Sequence, residues 1–120
     1  MHLLGWTEPD ELRALMKSAD ALIHPSPFPD PFPNAVLEGM AAGTVVFGSD
    51  VSGSALDRID PGENGFIHRA GDVDGLGAQV ALLLRDPGLA SRMGPKAAAR
   101  AAQWPLERGV QVIRALFQPS

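Results

Sequence analysis

The sequence predicts an α/β fold, a Rossmann-like parallel sheet of about four short strands with helices on both faces. Three observations predict it. Short apolar runs alternate with longer stretches in which apolar residues recur at helical spacing. The runs Ala21-Leu22-Ile23-His24, Thr44-Val45-Val46-Phe47 and Phe66-Ile67-His68 show no polar alternation, as expected of strands covered on both faces. The segments that follow them are rich in Pro, Gly, Ser and Asp, which end regular structure and make loops.

The elements follow in order. His2-Leu3-Leu4-Gly5 is a short apolar stretch, placed as an edge strand or strand remnant. Thr7 can cap a helix over residues 8–18, with Pro9, Asp10 and Glu11 in its first turn, where carboxylates suit the helix dipole. Leu12, Leu15, Met16 and Ala19 give that helix its apolar face. Residues 21–24 form a strand that Pro25 ends. Residues 25–33 hold five prolines and continue neither a strand nor a helix. Pro33 opens a helix to Ala42, Gly43 ends it, and residues 44–47 form the next strand. Residues 48–54 read as a loop and 55–59 as a helical turn. Pro61-Gly62-Glu63-Asn64-Gly65 is a turn signal before the strand at 66–68. Asp72 caps a helix whose face is Val73, Leu76, Val80, Leu83 and Leu84. Asp86-Pro87 breaks it and starts another, through about Gln103, with Met93 and alanines as a thin apolar face. Trp104-Pro105 marks a corner before a last helix, about residues 106–117, with Leu106, Val110, Ile113 and Phe117 on one stripe.

The totals exclude several classes of function. A chain of 120 residues is one small domain or part of a larger one. Its hydrophobic share of 45% supports a core, and with aromatics at 6% that core is Leu, Val, Ile and Ala. A net charge of -4 and a pI near 5.2 argue against a nucleic-acid surface. With no cysteine there is no disulfide, thiolate metal site or thiol nucleophile. No apolar run approaches the roughly 18 residues of a membrane span. Met-His-Leu-Leu-Gly-Trp lacks the apolar core of a signal peptide. A soluble, cytoplasmic chain is expected, with a peripheral position at the inner face of a membrane left open.

The chemistry concentrates between His24 and Asp50. In open parallel sheets ligands bind beyond the carboxyl ends of the strands, where the loops 24–34, 48–54 and 68–72 fall. The helix that starts near Pro33 offers free backbone N–H groups at Asn34, Ala35 and Val36, a natural seat for a phosphate. Asp30 lies in the accessible loop. Glu38 sits among Ala35, Val36, Leu37, Met40 and Ala41, which predicts a largely buried carboxylate that must be paired or ligand-bound. Glu38 can accept hydrogen bonds from two neighbouring hydroxyls such as a ribose diol, and Asp30 from hydroxyls of a second sugar. Phosphate, ribose and sugar together suggest a nucleotide sugar. His24, Ser26, Asp50 and Gly53 lie on the same loops and are further candidates for substrate binding. Several residues also have a plain reading: Glu38 as a paired core carboxylate, Asp30 as a loop or pre-helix charge, His24 as packing or a hydrogen bond to its own loop, and Ser49, Asp50 and Ser52 as ordinary loop residues. His2 and His68 are expected at the surface. No metal-ligand cluster stands out.

Asp30-Pro-Phe-Pro-Asn-Ala-Val-Leu-Glu38-Gly-Met-Ala-Ala-Gly43-Thr-Val-Val resembles the Glu-x7-Glu motif of the retaining GT-B glycosyltransferases of family 4, the glycosyl transferases group 1. Ala19-Asp20-Ala21-Leu22-Ile23-His24-Pro25-Ser26 resembles that family's ADVFVxPS strand. Gly48-Ser49-Asp50-Val51-Ser52-Gly53 resembles its SDVGG loop. Pro61-Gly62-Glu63-Asn64-Gly65-Phe66-Ile67 resembles DGENGFLV, and Gly71-Asp72 the GD before the next helix. The ordered set spans about residues 3–117. The resemblance implies the C-terminal lobe of a GT-B fold. It makes residues 1–104 part of a nucleotide-sugar-binding domain and 105–120 the crossover helix of the same lobe. It implies that Glu38 binds the donor ribose, that Asp30 binds the transferred sugar, and that backbone amides of the stretch Pro33-Asn34-Ala35-Val36 lie at the diphosphate, Pro33 itself having no N–H. It implies metal-independent transfer of a hexose, with retention, to a glycan, lipid or small-molecule acceptor.

The departures from that pattern carry expectations too. Asp30 stands for the first Glu and is one methylene shorter. Gly39 stands for the usual Ala inside the helix, at a cost of up to about 1 kcal/mol. The family's phosphate-gripping Arg and Lys, and its whole acceptor lobe, lie upstream of the segment equivalent to residues 2–5, so the isolated chain is expected to be catalytically incomplete. The rival reading is a non-catalytic interaction or split-protein module that pairs with a separate acceptor lobe, or forms a homodimer through the last helix. A receiver-like doubly wound protein is disfavoured, because no acidic cluster ends the first strand. Arg92, Lys96 and Arg100 make a basic stripe, ordinarily a solvated face and otherwise a contact for anionic lipid.

Overall fold

A computed structural model describes residues 1–118. The helices are α1 (Pro9–Ser18), α2 (Asn34–Ala41), α3 (Gly53–Arg58), α4 (Val73–Arg85), α5 (Leu89–Ala102) and α6 (Leu106–Leu116), and the strands β1 (Ala21–His24), β2 (Val45–Ser49) and β3 (Gly65–His68). The strands form one parallel sheet in the order β1-β2-β3. The register sets His24 beside Gly48 and Ser49 beside His68. All three strands therefore end together, and the loops that follow them share one edge of the sheet.

The alternation of side chains along each strand divides the core in two. Leu22, Val46 and Ile67 pack with Val36 and Met40 of α2, Ala55 and Ile59 of the α3 region, and Ala97 and Ala101 of α5. Val45, Phe47 and Phe66 pack with Leu76, Val80 and Leu83 of α4 and Leu89, Ala90 and Met93 of α5. Phe47 and Phe66 stack with ring centroids 4.9 Å apart. Every residue of β2 is buried, so the central strand is apolar until it reaches Ser49.

The sheet has three strands and not about four. Residues 2–5 join no strand among the described residues: Leu3 and Leu4 are exposed, and Gly5 has φ 65°. Thr7 does not cap α1, because its hydroxyl donates back to the Gly5 carbonyl, and Glu8 takes the cap position ahead of Pro9. At the other end of α2, Gly43 (φ 76°) allows two closing bonds, Gly43 N–H to Met40 O and Thr44 N–H to Gly39 O. Thr44 Oγ1 then donates to Met16 O at 2.6 Å and ties α1 to this corner. Gly39 has a packing reason: a Cβ there would lie 3.0 Å from Val46 Cγ2. Asp72 caps α4 by accepting from Gly75 N–H. The helix α6 buries none of its described residues, and Pro119 and Ser120 of the 105–120 segment lie outside the described residues.

Candidate functional site

The site assembles where the loop after β1 is laced to the loop after β2. Asp30 N–H donates to Val51 O (3.1 Å), and Gly53 N–H donates to Asp30 O (2.9 Å). A Cβ on Gly53 would lie 1.8 Å from Pro31 O, so only glycine lets the chains approach this closely. Ser54, fully buried, donates through Oγ to Pro33 O at 2.9 Å. Together these bonds fix the start of α2. Pro33 is its N-cap residue and no side chain caps the helix, so the N–H groups of Asn34, Ala35 and Val36 are offered to whatever lies ahead of it. Asp30 is half-buried beside this helix end.

Glu38 is exposed, which corrects the expectation of a buried carboxylate. The buried face of α2 is Val36, Gly39 and Met40. Glu38 is two residues from Val36 and from Met40, hence about 200° around the helix from each. It lines a groove of about 420 Å³ together with Phe32, Leu37, Ala41, Arg58, Ala101 and Trp104. The guanidinium of Arg58 lies 5.7 Å from the Phe32 ring centroid and 4.0 Å from that of Trp104, and Arg108 lies 4.5 Å from the latter. Phe32, Arg58 and Trp104 were not legible as site residues. Arg58 shows in the sequence only as a cation at the end of a helical turn, and its meeting with Phe32 and Trp104 is made by tertiary folding.

The other candidates divide. Asp50 ties two loops together: its N–H donates to His68 O, and its Oδ1 accepts from Ala70 N–H, each at 2.8 Å. Ser26 Oγ donates to Phe28 O within its own loop. His24 is half-buried with Nδ1 unpartnered. Ser49 Oγ and His68 Nε2 at the strand ends, and Ser52 Oγ in the loop after β2, are likewise buried without a partner among the described residues. His68 is 5% exposed and so is not a surface residue, because its strand position turns the ring into the α4–α5 side of the sheet. Asp30 and the start of α2 are thus brought together, with Asp50 and Gly53 in their scaffold, while Glu38 lines the groove beside Phe32 and Arg58.

The basic stripe is engaged within the chain. Arg92 pairs with Asp86, Lys96 with Glu63 (2.7 Å), and Arg100 donates to Gln103 Oε1 (2.7 Å) and Asp57 O (3.2 Å). Among the described residues no three His, Cys, Asp or Glu side chains are grouped to hold a metal ion, and no helix is long and apolar enough to cross a membrane.

The chain is a parallel α/β lobe whose sheet-edge loops carry an uncapped helix start and two carboxylates. The particular family follows from comparison. Residues 1–100 match the family model described as glycosyl transferases group 1, and the chain belongs to that family. Its fold is that of GT-B glycosyltransferases. Anabaena Alr3699/HepE, crystallised in complex with UDP, is similar over 85% of this chain and 28% of its own, at 26% identity and a TM-score of 0.77. Sucrose-phosphate synthase from Thermosynechococcus elongatus is similar over 89% of this chain and 28% of its own, at 30% identity and a TM-score of 0.78. The C-terminal domain of the group 1 protein LpcC from Francisella tularensis shares the fold, with a TM-score of 0.74 over 83% of this chain and 51% of its own, at 18% identity. The chain thus spans 28% of the length of HepE and of the synthase. A search of curated proteins finds no match.

Proposed function

We propose that this chain is the donor-binding part of a retaining, GT4-like glycosyltransferase. The uncapped start of α2, with Asp30 in the loop before it and Glu38 about one turn further along the helix, carries the reading. The N–H groups of Asn34, Ala35 and Val36 take oxygens of a nucleoside diphosphate, whose negative charge suits a helix N-terminus. Glu38 accepts from the ribose diol. Asp30 accepts from hydroxyls of the hexose and fixes the anomeric carbon relative to the departing phosphate. The acceptor, a glycan, lipid or small molecule, attacks on the same face as the phosphate leaves. No metal takes part, and the helix dipole with the amides stabilises the leaving diphosphate. The acceptor is bound by a second lobe, and the isolated chain transfers little or no sugar. The absence of cysteine fits a cytoplasmic site of action. HepE and its complexes with UDP and UDP-glucose support the donor class.

Thermal unfolding tests this. The chain is melted alone and with millimolar UDP, GDP, ADP and their sugars. One nucleotide is expected to raise the transition, by about 2.7 kcal/mol of stabilisation at a hundredfold excess over its Kd. Glu38→Ala is expected to abolish most of that rise with little change in the unliganded transition, because Glu38 is exposed. A cooperative transition that no nucleotide moves would overturn the reading.

A second reading rests on α6, which exposes Val110, Ile113 and Phe117 along its stripe and buries nothing. In that reading the chain is an interaction module that pairs through α6 with a second copy or with a separate acceptor lobe.

A further inference from the structure

Arg58 ends α3 and faces the groove that holds Glu38. Its side chain is only 11% exposed, yet its one ion pair among the described residues is with adjacent Asp57 at 2.8 Å, itself 54% exposed. A guanidinium has five N–H donors in a rigid fork. Here its near neighbours include the rings of Phe32 and Trp104, which attract the cation but cannot accept those hydrogens as an oxyanion would. A cation so enclosed and so little paired is suited to a bidentate oxyanion.

The position narrows the ligand. The guanidinium lies 5.7 Å from the ring centroid of Phe32, which stands two residues before α2 begins at Asn34. Arg58 and Glu38 line one groove, so a ligand that meets Glu38 through ribose hydroxyls can extend its phosphates along the same groove to the guanidinium. Glu38, in the same groove, repels an anion unless the ligand presents hydroxyls there. The walls of Leu37, Ala41, Phe32 and Trp104 offer apolar surface for a ring. A volume of about 420 Å³ lies inside the roughly 300–1,000 Å³ of small-molecule pockets.

We propose that Arg58 is this chain's own diphosphate grip, binding the phosphates of a nucleoside diphosphate whose ribose meets Glu38 in the groove. The proposal rests on the donor-binding reading above and adds a residue to it. The diphosphate oxygens accept from the Arg58 fork. Arg58 then carries much of the preference for nucleotide over nucleoside, and its charge opposes the negative charge that grows on the leaving diphosphate.

Titration calorimetry on the whole chain tests it, with UDP, GDP, ADP, the matching nucleosides and inorganic pyrophosphate as probes. Arg58→Gln is expected to weaken the bound nucleoside diphosphate by about tenfold or more and to leave its nucleoside unchanged. Arg58→Lys keeps the charge without the fork and is expected to fall between the two. Arg108→Gln, which removes the other cation from Trp104 without touching the groove, is expected to bind as wild type. Should Arg58→Gln fail to fold, Arg58→Lys decides, since wild-type affinity in that variant denies the fork its role. Diphosphate affinity independent of Arg58 overturns this assignment and leaves the donor reading standing. Arg58-dependent binding of pyrophosphate with no binding of any nucleoside diphosphate keeps the grip and overturns the donor reading. Failure of every probe to bind the wild type overturns both.

Discussion

A Cβ on Gly53 would sit 1.8 Å from Pro31 O, and one on Gly94 would sit 2.2 Å from Gly43 O. In both cases backbone meets backbone, so neither contact is relieved by a rotamer change. Each substitution to Ala should cost about 1–3 kcal/mol by overpacking, read as a lower urea midpoint at unchanged slope. The two should differ in consequence. Gly94→Ala loosens α5 against the corner after α2, and nucleotide affinity should survive in the folded fraction. Gly53→Ala pushes the Asp30 loop off α3 and should lower affinity as well. Equal loss of stability with equal loss of affinity would deny Gly53 its role in setting the site. The sequence offered Gly53 as a candidate beside the ligand, through its place in a Ser-Asp-Val-Ser-Gly loop. What it could not offer is the carbonyl of Pro31 pressed against it. The exposure of Glu38 has a related cause. Its neighbours are apolar, but burial follows the angle around the helix axis and not the company along the chain.

At the scale of elements the structure follows the sequence wherever a local rule governs. β1 lies at 21–24 as the apolar run before Pro25 predicts, and α4 starts behind Asp72 with the expected cap. The errors fall where tertiary contact overrules. The turn placed at 55–59 is the helix α3 from Gly53, started early by the bond of Ser54 to Pro33. The helix α5 depends on such contacts along its length, since its apolar face is thin and its cations reach to other segments. The Lys96 hydrogen bond and charge hold the Glu63 carboxyl below its ordinary value. Asp86 is lowered foremost by the hydrogen bond from Arg92, partly opposed by desolvation, with Gly88 N–H and the Arg92 charge adding. Because both folded-state values lie below the unfolded ones, this stabilisation is complete above the ordinary carboxylate range and is lost as pH falls through it. Both pairs are exposed, so the effect is modest and weakens with salt. The double variant Arg92→Gln, Lys96→Gln should therefore flatten the decline in thermal stability below about pH 5. An acid limb as steep as that of the wild type would mean that other carboxylates control it.

The whole molecule leaves two surfaces unsatisfied. β1 is an edge strand, with Ile23 46% exposed, and α6 stands out with Leu106, Ile113, Leu116 and Phe117 each more than half exposed. The extents of 56 × 30 × 29 Å are long for a chain of this size, as expected when a terminal helix does not fold onto the body. The apolar stripe of α6 was legible from spacing alone. That it would lie uncovered was not, because periodicity states which face wants cover and says nothing of what provides it. An amphipathic helix of eleven residues is marginal in water without a packing partner. The chain alone is therefore expected to self-associate through α6 at micromolar concentration, as concentration-dependent sedimentation. Ile113→Glu, placing a charge in the stripe, should return it to monomer while leaving the melt of the sheet unchanged. On the donor-binding reading, the same preparations given donor and acceptor are expected to transfer little or no sugar, since pairing two such lobes supplies no acceptor site. A monomer at every concentration would remove the interaction reading. Sustained transfer by the chain alone would instead mean that the acceptor is bound within these 120 residues.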